Sequence, residues 1–178
     1  KVPAFLYNIK KRRNCFLIRQ IHNIPPLFNS HSKILILGSF PSVKSREDKF
    51  FYAHPSNRFW PVLSNILNSD LPKSIDDKKI LLYKFNIALW DVLKSCEITG
   101  SSDAKIRSVI PNDLNNILNL SQVSTIFLNG TTASKYYLKF FKGHINLPAI
   151  LLPSTSAANA ACSLQMLVDR WKIIKEYL

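Results

Sequence analysis

The residues best suited to chemistry follow the apolar run 34–37, where the chain changes abruptly to glycine, serine and basic side chains. Gly38 allows the backbone to turn or to approach a ligand closely, and Pro41 stiffens the exit from that turn. The hydroxyl, N–H and basic groups that could bind a phosphate here belong to Ser39, Ser42, Lys44, Ser45 and Arg46. The spacing matches neither a nucleotide P-loop nor a dinucleotide fingerprint, so neither type of nucleotide site is supported.

Four apolar segments are typical of buried strands, and each ends at polar or small residues. The segments are 34–37, 86–90, 123–128 and 149–152, and the residues after them are Gly38-Ser39, Asp91, Asn129-Gly130 and Ser154-Thr155-Ser156. Ligands of open α/β sheets bind beyond the carboxyl ends of the strands, so these residues are expected to meet at one site. Loops often carry the same residue types for their turns alone, so it is the convergence of four ends that indicates a site.

Helices are predicted between the strands, which places the chain in the α/β class. Apolar spacing or capping residues mark helices over 57–67, 74–84, 113–120, 131–141 and 158–177. We predict a three-layer α/β/α domain over residues 23–178, with a central four-stranded, mostly parallel sheet. Residues 1–22, which include Lys10-Lys-Arg-Arg13, are predicted to form a basic N-terminal extension.

The charge indicates a polyanionic partner. A net charge of +13 and a pI near 9.8 favour nucleic acid, with an anionic membrane surface or a basic surface without function as the alternatives. Cys15, Cys96 and Cys162 are widely spaced and the four histidines form no ligand-spaced pair, so neither disulfides nor a metal site is expected. No apolar run approaches the length of a membrane span, and a cytoplasmic location is expected.

Five motifs in order along the chain resemble the uracil-DNA glycosylase superfamily. They are Gly38-Ser-Phe-Pro-Ser42, Tyr52-Ala-His-Pro-Ser-Asn-Arg-Phe-Trp60, Ala88-Leu-Trp-Asp-Val-Leu93, Phe127-Leu-Asn-Gly130 and Leu152-Pro-Ser-Thr-Ser156. The set is most similar to the hypoxanthine-DNA (deoxyinosine) glycosylase branch, and the second motif is also similar to the mismatch-specific uracil/thymine-DNA glycosylases. The resemblance covers roughly residues 21–178 in matching order.

The resemblance implies a monomeric, monofunctional DNA glycosylase that needs neither metal nor cofactor. Such an enzyme flips a damaged or mispaired base out of double-stranded DNA and hydrolyses its N-glycosidic bond, leaving an abasic site. Hypoxanthine is the predicted base. Phe40 and Leu152 stand where uracil-removing members carry a water-positioning acid or amide and a His or Asn that assists the leaving base, which argues against a standard uracil enzyme. The alternatives are a uracil/thymine mispair glycosylase, an inactive DNA-binding relative and a small-molecule α/β enzyme.

Asn57 and Ser39 are the predicted catalytic residues. Asn57 is expected to orient the attacking water or the sugar, and its alternative role is to cap the helix that follows. Backbone N–H groups near Ser39 and Ser42 are predicted to stabilise the departing base anion, because the reaction develops opposite charges on sugar and base.

The base-binding residues are predicted to be Phe40, Phe51, Tyr52 and Asp91. The aromatic rings could stack on the flipped base or could belong to the core. The Asp91 carboxylate could accept the ring N–H of hypoxanthine or uracil, or it could cap a turn. The predicted DNA contacts are Ser42, Lys44, Arg58, Ser154, Thr155, Ser156 and Asn159, with a helix cap as the alternative for the serine-rich turn.

Overall fold

The computed structural model describes residues 18–98 and 106–178 of the chain. In chain order the strands are β1 (Ile18–Ile21), β2 (Ile34–Gly38), β3 (Ile87–Asp91), β4 (Leu93–Ile98), β5 (Arg107–Pro111), β6 (Thr125–Asn129) and β7 (Ala149–Leu152). The helices are α1 (Val43–Asp48), α2 (Phe59–Leu67), α3 (Ile75–Lys84), α4 (Asn115–Leu120), α5 (Thr131–Phe141) and α6 (Leu164–Trp171), and a 3₁₀ helix spans Lys172–Tyr177. None of the helices in these two ranges combines the length and apolarity that crossing a bilayer requires.

The central sheet is parallel throughout, in the order β3-β2-β6-β7. Its two inner strands, β2 and β6, are buried along their whole length. Strands covered on both faces need apolar residues at every position, which explains the unbroken apolar runs in the sequence. The register pairs Gly38 with Asp91 and Asn129 with Leu152, so the polar strand ends lie side by side at one edge. The predicted fold class is confirmed.

Each face of the central sheet covers its own apolar core. Successive side chains of a strand alternate between the two faces, and β2 divides accordingly. Ile34 and Ile36 pack in one core and Leu35 and Leu37 in the other, and fully burying one such side chain stabilises the fold by about 1.5–3 kcal/mol. The first core includes Phe59 and Leu63 of α2 with Leu167 and Trp171 of α6; the second includes Ile117 of α4 with Ala133 and Tyr137 of α5.

A second, antiparallel sheet of three strands in the order β1-β4-β5 was not predicted. Strand β1 lies within the segment assigned to the N-terminal extension, and it pairs residue by residue with β4 from Ile18 with Ile98 to Ile21 with Ser95. The described structure therefore begins before the boundary predicted at residue 22. The basic quartet of that extension lies outside the described residues.

The capping signals of the sequence account for where two helices begin. Helix α2 starts at Phe59, which places Pro61 in the first turn, where its missing N–H has no partner to lose. Helix α3 has the predicted capping box: the Asp77 N–H donates to Ser74 Oγ at 3.0 Å, and the Ser74 N–H donates to Asp77 Oδ2 at 2.9 Å. These bonds hold the pKa of the Asp77 carboxyl below its ordinary value.

The last helix was predicted to begin near Ala158, and this was wrong. Helix α6 begins at Leu164, and its N-cap is Ser163, whose Oγ accepts the Met166 N–H at 3.2 Å. Residues 154–162 form a loop instead of a first helical turn, because hydrogen bonds from elsewhere in the chain hold their backbone. That loop is part of the site.

Candidate active site

A cleft of about 670 Å³ opens at the edge of the central sheet where the strands end. Its volume is that of a small-ligand pocket and is sufficient for a nucleobase. All of the predicted site residues line it except Lys44 and Arg58; those that do are Ser39, Phe40, Ser42, Phe51, Tyr52, Asn57, Asp91, Ser154, Thr155, Ser156 and Asn159. Parallel pairing thus brings together residues that lie more than a hundred positions apart in the sequence.

Asp91 forms the floor of this cleft. Its carboxyl group is buried, and Oδ1 lies against Gly38, where a Cβ atom would stand only 2.2 Å from it. Oδ2 lies 2.8 Å from Nε2 of His22, and the Asp91 backbone carbonyl accepts a hydrogen bond from Asn112 Nδ2 at 2.9 Å. Asp91 therefore does not cap a turn with its side chain, and its carboxylate belongs to the cleft.

Three aromatic side chains line the cleft, and all of them also pack against neighbours. Phe40 and Phe51 are buried, at 8% and 3% exposure. Tyr52 stacks on Phe59 of α2 with ring centroids 4.0 Å apart, and it adopts a left-handed backbone conformation with φ of 51°. Phe59 itself is fully buried. Phe40 makes an edge-to-face contact with His22 and lines the cleft without filling it.

Asn57 lies at the cleft, one residue before Arg58, the N-cap of α2, and its side chain binds the first N–H of that helix. Its Oδ1 accepts the Phe59 N–H at 3.0 Å, immediately before α2, and its own N–H donates to the His54 carbonyl at 2.8 Å. The amide oxygen thus binds the start of α2, one residue earlier than the N-cap position that the capping alternative gave Asn57, while the residue lines the cleft as the catalytic prediction requires. The two roles are compatible because the side chain carries an amide nitrogen as well.

The serine-rich turn after β7 is held mainly by internal hydrogen bonds. Thr155 is completely buried and exchanges two bonds of 3.0 Å with the side chain of Asn129 at the end of β6, so its predicted DNA contact was wrong. Asn159 Nδ2 donates to the Ser154 carbonyl at 2.9 Å. The Ser154 and Ser156 hydroxyls accept N–H groups two residues ahead, and both side chains are half-buried at the cleft.

Asn129 and Gly130 shape the turn that follows β6. Gly130 has φ of 96°, a conformation that favours glycine, and a Cβ atom at this position would stand 2.8 Å from Ser154 Cβ. Because Gly130 has no side chain, the turns after β6 and β7 can lie directly against each other.

Arg58 is a predicted contact to DNA phosphates, but in the structure its guanidinium group binds the protein backbone. The group donates hydrogen bonds to three backbone carbonyls of the loop, those of Ser156 at 2.8 Å, Asn159 at 2.9 Å and Cys162. The Arg58 N–H also donates to the Thr155 carbonyl at 3.0 Å. Arg58 therefore anchors the loop to the start of α2, and these bonds hold the backbone of residues 154–162 in its non-helical course.

Replacing Arg58 by Met is expected to lower the free energy of unfolding by about 2 kcal/mol, since hydrogen bonds from a charged donor contribute about 1.5–3 kcal/mol. Urea denaturation measures this. Arg170→Met, at an exposed position of α6, is the control and should leave stability unchanged. If Arg58→Met kept wild-type stability while the salt dependence of DNA binding became shallower, the phosphate contact would be restored and the anchoring role rejected.

The basic residues near the cleft differ in their surroundings. Lys44 is exposed on α1 and forms an ion pair with Asp48 at 2.7 Å, whose hydrogen bond raises the pKa of the Lys44 ammonium group. Arg46 Nη1 donates to the Pro41 carbonyl at 2.6 Å, and burial lowers the pKa of its guanidinium. Ser42 caps α1, a short helix that was not predicted, by accepting the Ser45 N–H at 3.1 Å. Lys44 thus lies outside the cleft, on a surface that DNA can reach.

His22 is the residue of this site that the sequence analysis missed. It was assigned to the extension, yet its side chain is 1% exposed and contacts Asp91. His22 and Asp91 lie 69 positions apart, and no spacing in the sequence links them. The available signal is that His22 lies two residues before Ile24, which is buried, and ahead of Pro25-Pro26. Within residues 18–98 and 106–178, no group of three or more His, Cys, Asp or Glu side chains is arranged to hold a metal ion.

A parallel α/β sheet with a base-sized cleft at its carboxyl edge, in a strongly basic chain, defines the class of α/β DNA glycosylases. The family comparison agrees: the model of the uracil DNA glycosylase superfamily matches residues 25–176. The chain belongs to the uracil DNA glycosylase superfamily, which confirms the predicted family and the predicted DNA glycosylase activity.

Two relatives and one solved structure are also similar to this chain. The chain is 33% identical over 137 residues to a protein named hypoxanthine DNA glycosylase from Methanosarcina acetivorans, which covers 76% of this chain and 85% of the relative. It is 32% identical over 114 residues to a protein of the same name from Methanosarcina barkeri, covering 63% of this chain and 72% of the relative. A solution NMR structure from M. acetivorans, provisionally named a uracil DNA glycosylase, superposes with a TM-score of 0.74 at 26% identity, over 89% of this chain and 99% of that one.

Proposed function

We propose that this glycosylase removes hypoxanthine from double-stranded DNA. The observation that carries the proposal is a carboxylate, Asp91, at the floor of a base-sized cleft. Hypoxanthine, the product of adenine deamination, has a hydrogen on N1, whereas adenine has a lone pair there. A carboxylate attracts the first and repels the second, so the cleft favours the deaminated purine. The two relatives named hypoxanthine DNA glycosylase support the same substrate.

The reaction needs water and no other reactant. The bond between C1′ of the sugar and N9 of the base breaks, the base leaves with the electron pair, and the oxygen of water bonds to C1′. One proton of that water ends on the released base. Because the transition state carries positive charge on the sugar and negative charge on the base, fixed polar groups can lower the barrier without a covalent intermediate.

Asn57 is the proposed group that orients the attacking water, because it lies at the cleft with its side chain fixed by the Phe59 N–H. The rings of Phe51 and Phe40 bound the space for the base, and Tyr52 is the third candidate for stacking on it. The backbone at Ser39 and Ser42 is proposed to face the leaving base, with the Ser154 and Ser156 hydroxyls facing the DNA strand. A monomeric enzyme in the cytoplasm remains the prediction.

End-labelled duplexes carrying hypoxanthine, uracil, xanthine or a thymine mispair test the substrate, with alkali to cleave any abasic site. Rapid strand cleavage at hypoxanthine is expected, and a duplex with adenine at the same position should stay intact. Release of uracil or thymine without hypoxanthine would favour a mispair glycosylase instead. Salt-dependent binding without release of any base would indicate an inactive DNA-binding relative.

A further inference from the structure

His22 and Asp91 form a buried pair beneath the cleft. Their side chains are 1% and 7% exposed, and His22 Nε2 lies 2.8 Å from Asp91 Oδ2. The pair joins the chain just after β1 to the last residue of β3. A polar pair so deep in the protein is costly to desolvate and is weak evidence for a stabilising role, so another reason for its presence is required.

The hydrogen bonds fix which nitrogen of His22 carries the proton. The Ile24 N–H donates to Nδ1 at 3.2 Å, so Nδ1 acts as an acceptor and carries no hydrogen. The ring hydrogen is therefore on Nε2 and is donated to the Asp91 carboxylate. In this arrangement the ring serves as a directed donor to one carboxylate oxygen.

Three aromatic rings surround the ring of His22. Phe40, Phe51 and Trp90 surround it, with ring centroids 6.0, 6.3 and 6.1 Å away. Trp90 Nε1 donates to the Ile24 carbonyl at 3.2 Å, so the segment that supplies the Nδ1 contact is itself tied to β3. Two of the three surrounding rings also line the cleft. The imidazole and the base-binding walls are thus parts of one packed unit.

We propose that His22 is a positioning residue that engages Oδ2 of Asp91 and thereby directs Oδ1 to accept the N1–H of a flipped lactam base. The proposal rests on the proposed function, since it concerns how the same cleft distinguishes hypoxanthine from adenine. Gly38 contributes by leaving the space in which Oδ1 lies. A carboxylate held in this position rejects a base that presents a lone pair at N1, because both of its oxygens are acceptors and neither can donate.

Two substitutions of His22 separate the donor from the ring. His22→Phe keeps an aromatic ring between the three neighbouring rings and removes the donor. His22→Gln carries an amide nitrogen near the position of Nε2 and keeps a donor to Asp91. His31→Phe is the matched control, because His31 is exposed and lies outside the cleft. Each variant is assayed as the full chain for release of hypoxanthine at saturating enzyme and for affinity to a duplex with a reduced abasic site.

Release of hypoxanthine by His22→Phe is expected to be about tenfold to a hundredfold slower, the factor expected for one lost hydrogen bond to a charged group. His22→Gln should recover much of the rate, and His31→Phe should match the wild type. Affinity for abasic DNA, which contains no base to read, should stay within about twofold for all variants that fold. A purely structural histidine would instead lower the abasic affinity together with the rate.

The outcomes distinguish this proposal from the function on which it rests. If the wild type releases no hypoxanthine, the proposed function fails. If the wild type releases hypoxanthine and His22→Phe does so at the same rate, the positioning role is overturned. Should His22→Phe not fold, His22→Gln decides: a folded Gln variant that has lost release of hypoxanthine as fully as Asp91→Ala overturns the proposal, and recovery supports it.

Discussion

Asn57→Ala is expected to slow release of hypoxanthine by about 100-fold to 1000-fold, the loss usual for one preorganised polar group at a reacting centre. The variant should also lose about 1 kcal/mol of stability, because Oδ1 of Asn57 accepts the Phe59 N–H at the start of α2. For a domain of this size, that loss lowers Tm by roughly 2–4 °C. Single-turnover release from an end-labelled duplex and a thermal scan measure the two effects.

Two further variants separate the chemistry of Asn57 from its capping role. Asn57→Ser keeps an oxygen that can cap α2 but shortens the side chain and removes the amide, so release should be as slow as in Asn57→Ala with nearly wild-type Tm. Ser74→Ala removes the cap of α3, outside the cleft, and should lower Tm without slowing release. Full activity per folded molecule in Asn57→Ser would show that Asn57 is a helix cap and nothing more.

The central sheet could be predicted because its signals are local. A strand buried on both faces requires consecutive apolar residues, and the apolar runs of β2 and β6 give way to Gly38 and Asn129, where the strands reach the cleft. Five consecutive residues are therefore enough to predict a buried strand such as β2. The convergence of the polar strand ends then follows from parallel pairing, which is why most of the predicted site residues line the cleft.

The second sheet could not be predicted in this way, since its partners are distant. Ile18 pairs with Ile98, and neither strand carries an unbroken apolar run. In β4, burial is irregular along the strand, with exposed Lys94 between buried Leu93 and Ser95. The pairing of β1 with β4 spans a long stretch of sequence and changes nothing in the residue pattern of either strand. The short segment before His22 is therefore predicted as part of the N-terminal extension.

Two predicted DNA contacts make internal bonds that the sequence could not show. Arg58 is the N-cap of α2 and a predicted phosphate contact, but its acceptors in the structure are backbone carbonyls up to 104 residues away. Thr155 is also a predicted DNA contact, yet the side chain of Asn129, from the neighbouring strand end, binds both its N–H and its hydroxyl. The sequence does not show which distant backbone carbonyl or side-chain amide a residue will bind. The prediction of a DNA contact therefore rests on the residue type alone.

Gly38→Ala is expected to slow release of hypoxanthine at least about 100-fold and to lower the free energy of unfolding by roughly 1–3 kcal/mol, the range for overpacking. The added Cβ would stand 2.2 Å from Asp91 Oδ1 and 3.1 Å from Tyr52 Oη. Any movement of the carboxylate that relieves this clash disrupts the contact of its other oxygen with His22. The same movement takes Oδ1 out of the position in which it would accept the base.

The double variant Gly38→Ala/Asp91→Ala tests the origin of that loss. Removing the carboxylate makes room for the new methyl group, so stability should exceed that of Gly38→Ala, while release of hypoxanthine stays slow because the acceptor is gone. Abasic-site affinity reports whether the cleft still binds DNA in each variant. Wild-type release by Gly38→Ala would mean that the carboxylate has room to move, and the close contact between Gly38 and Asp91 would then have no part in selecting the base.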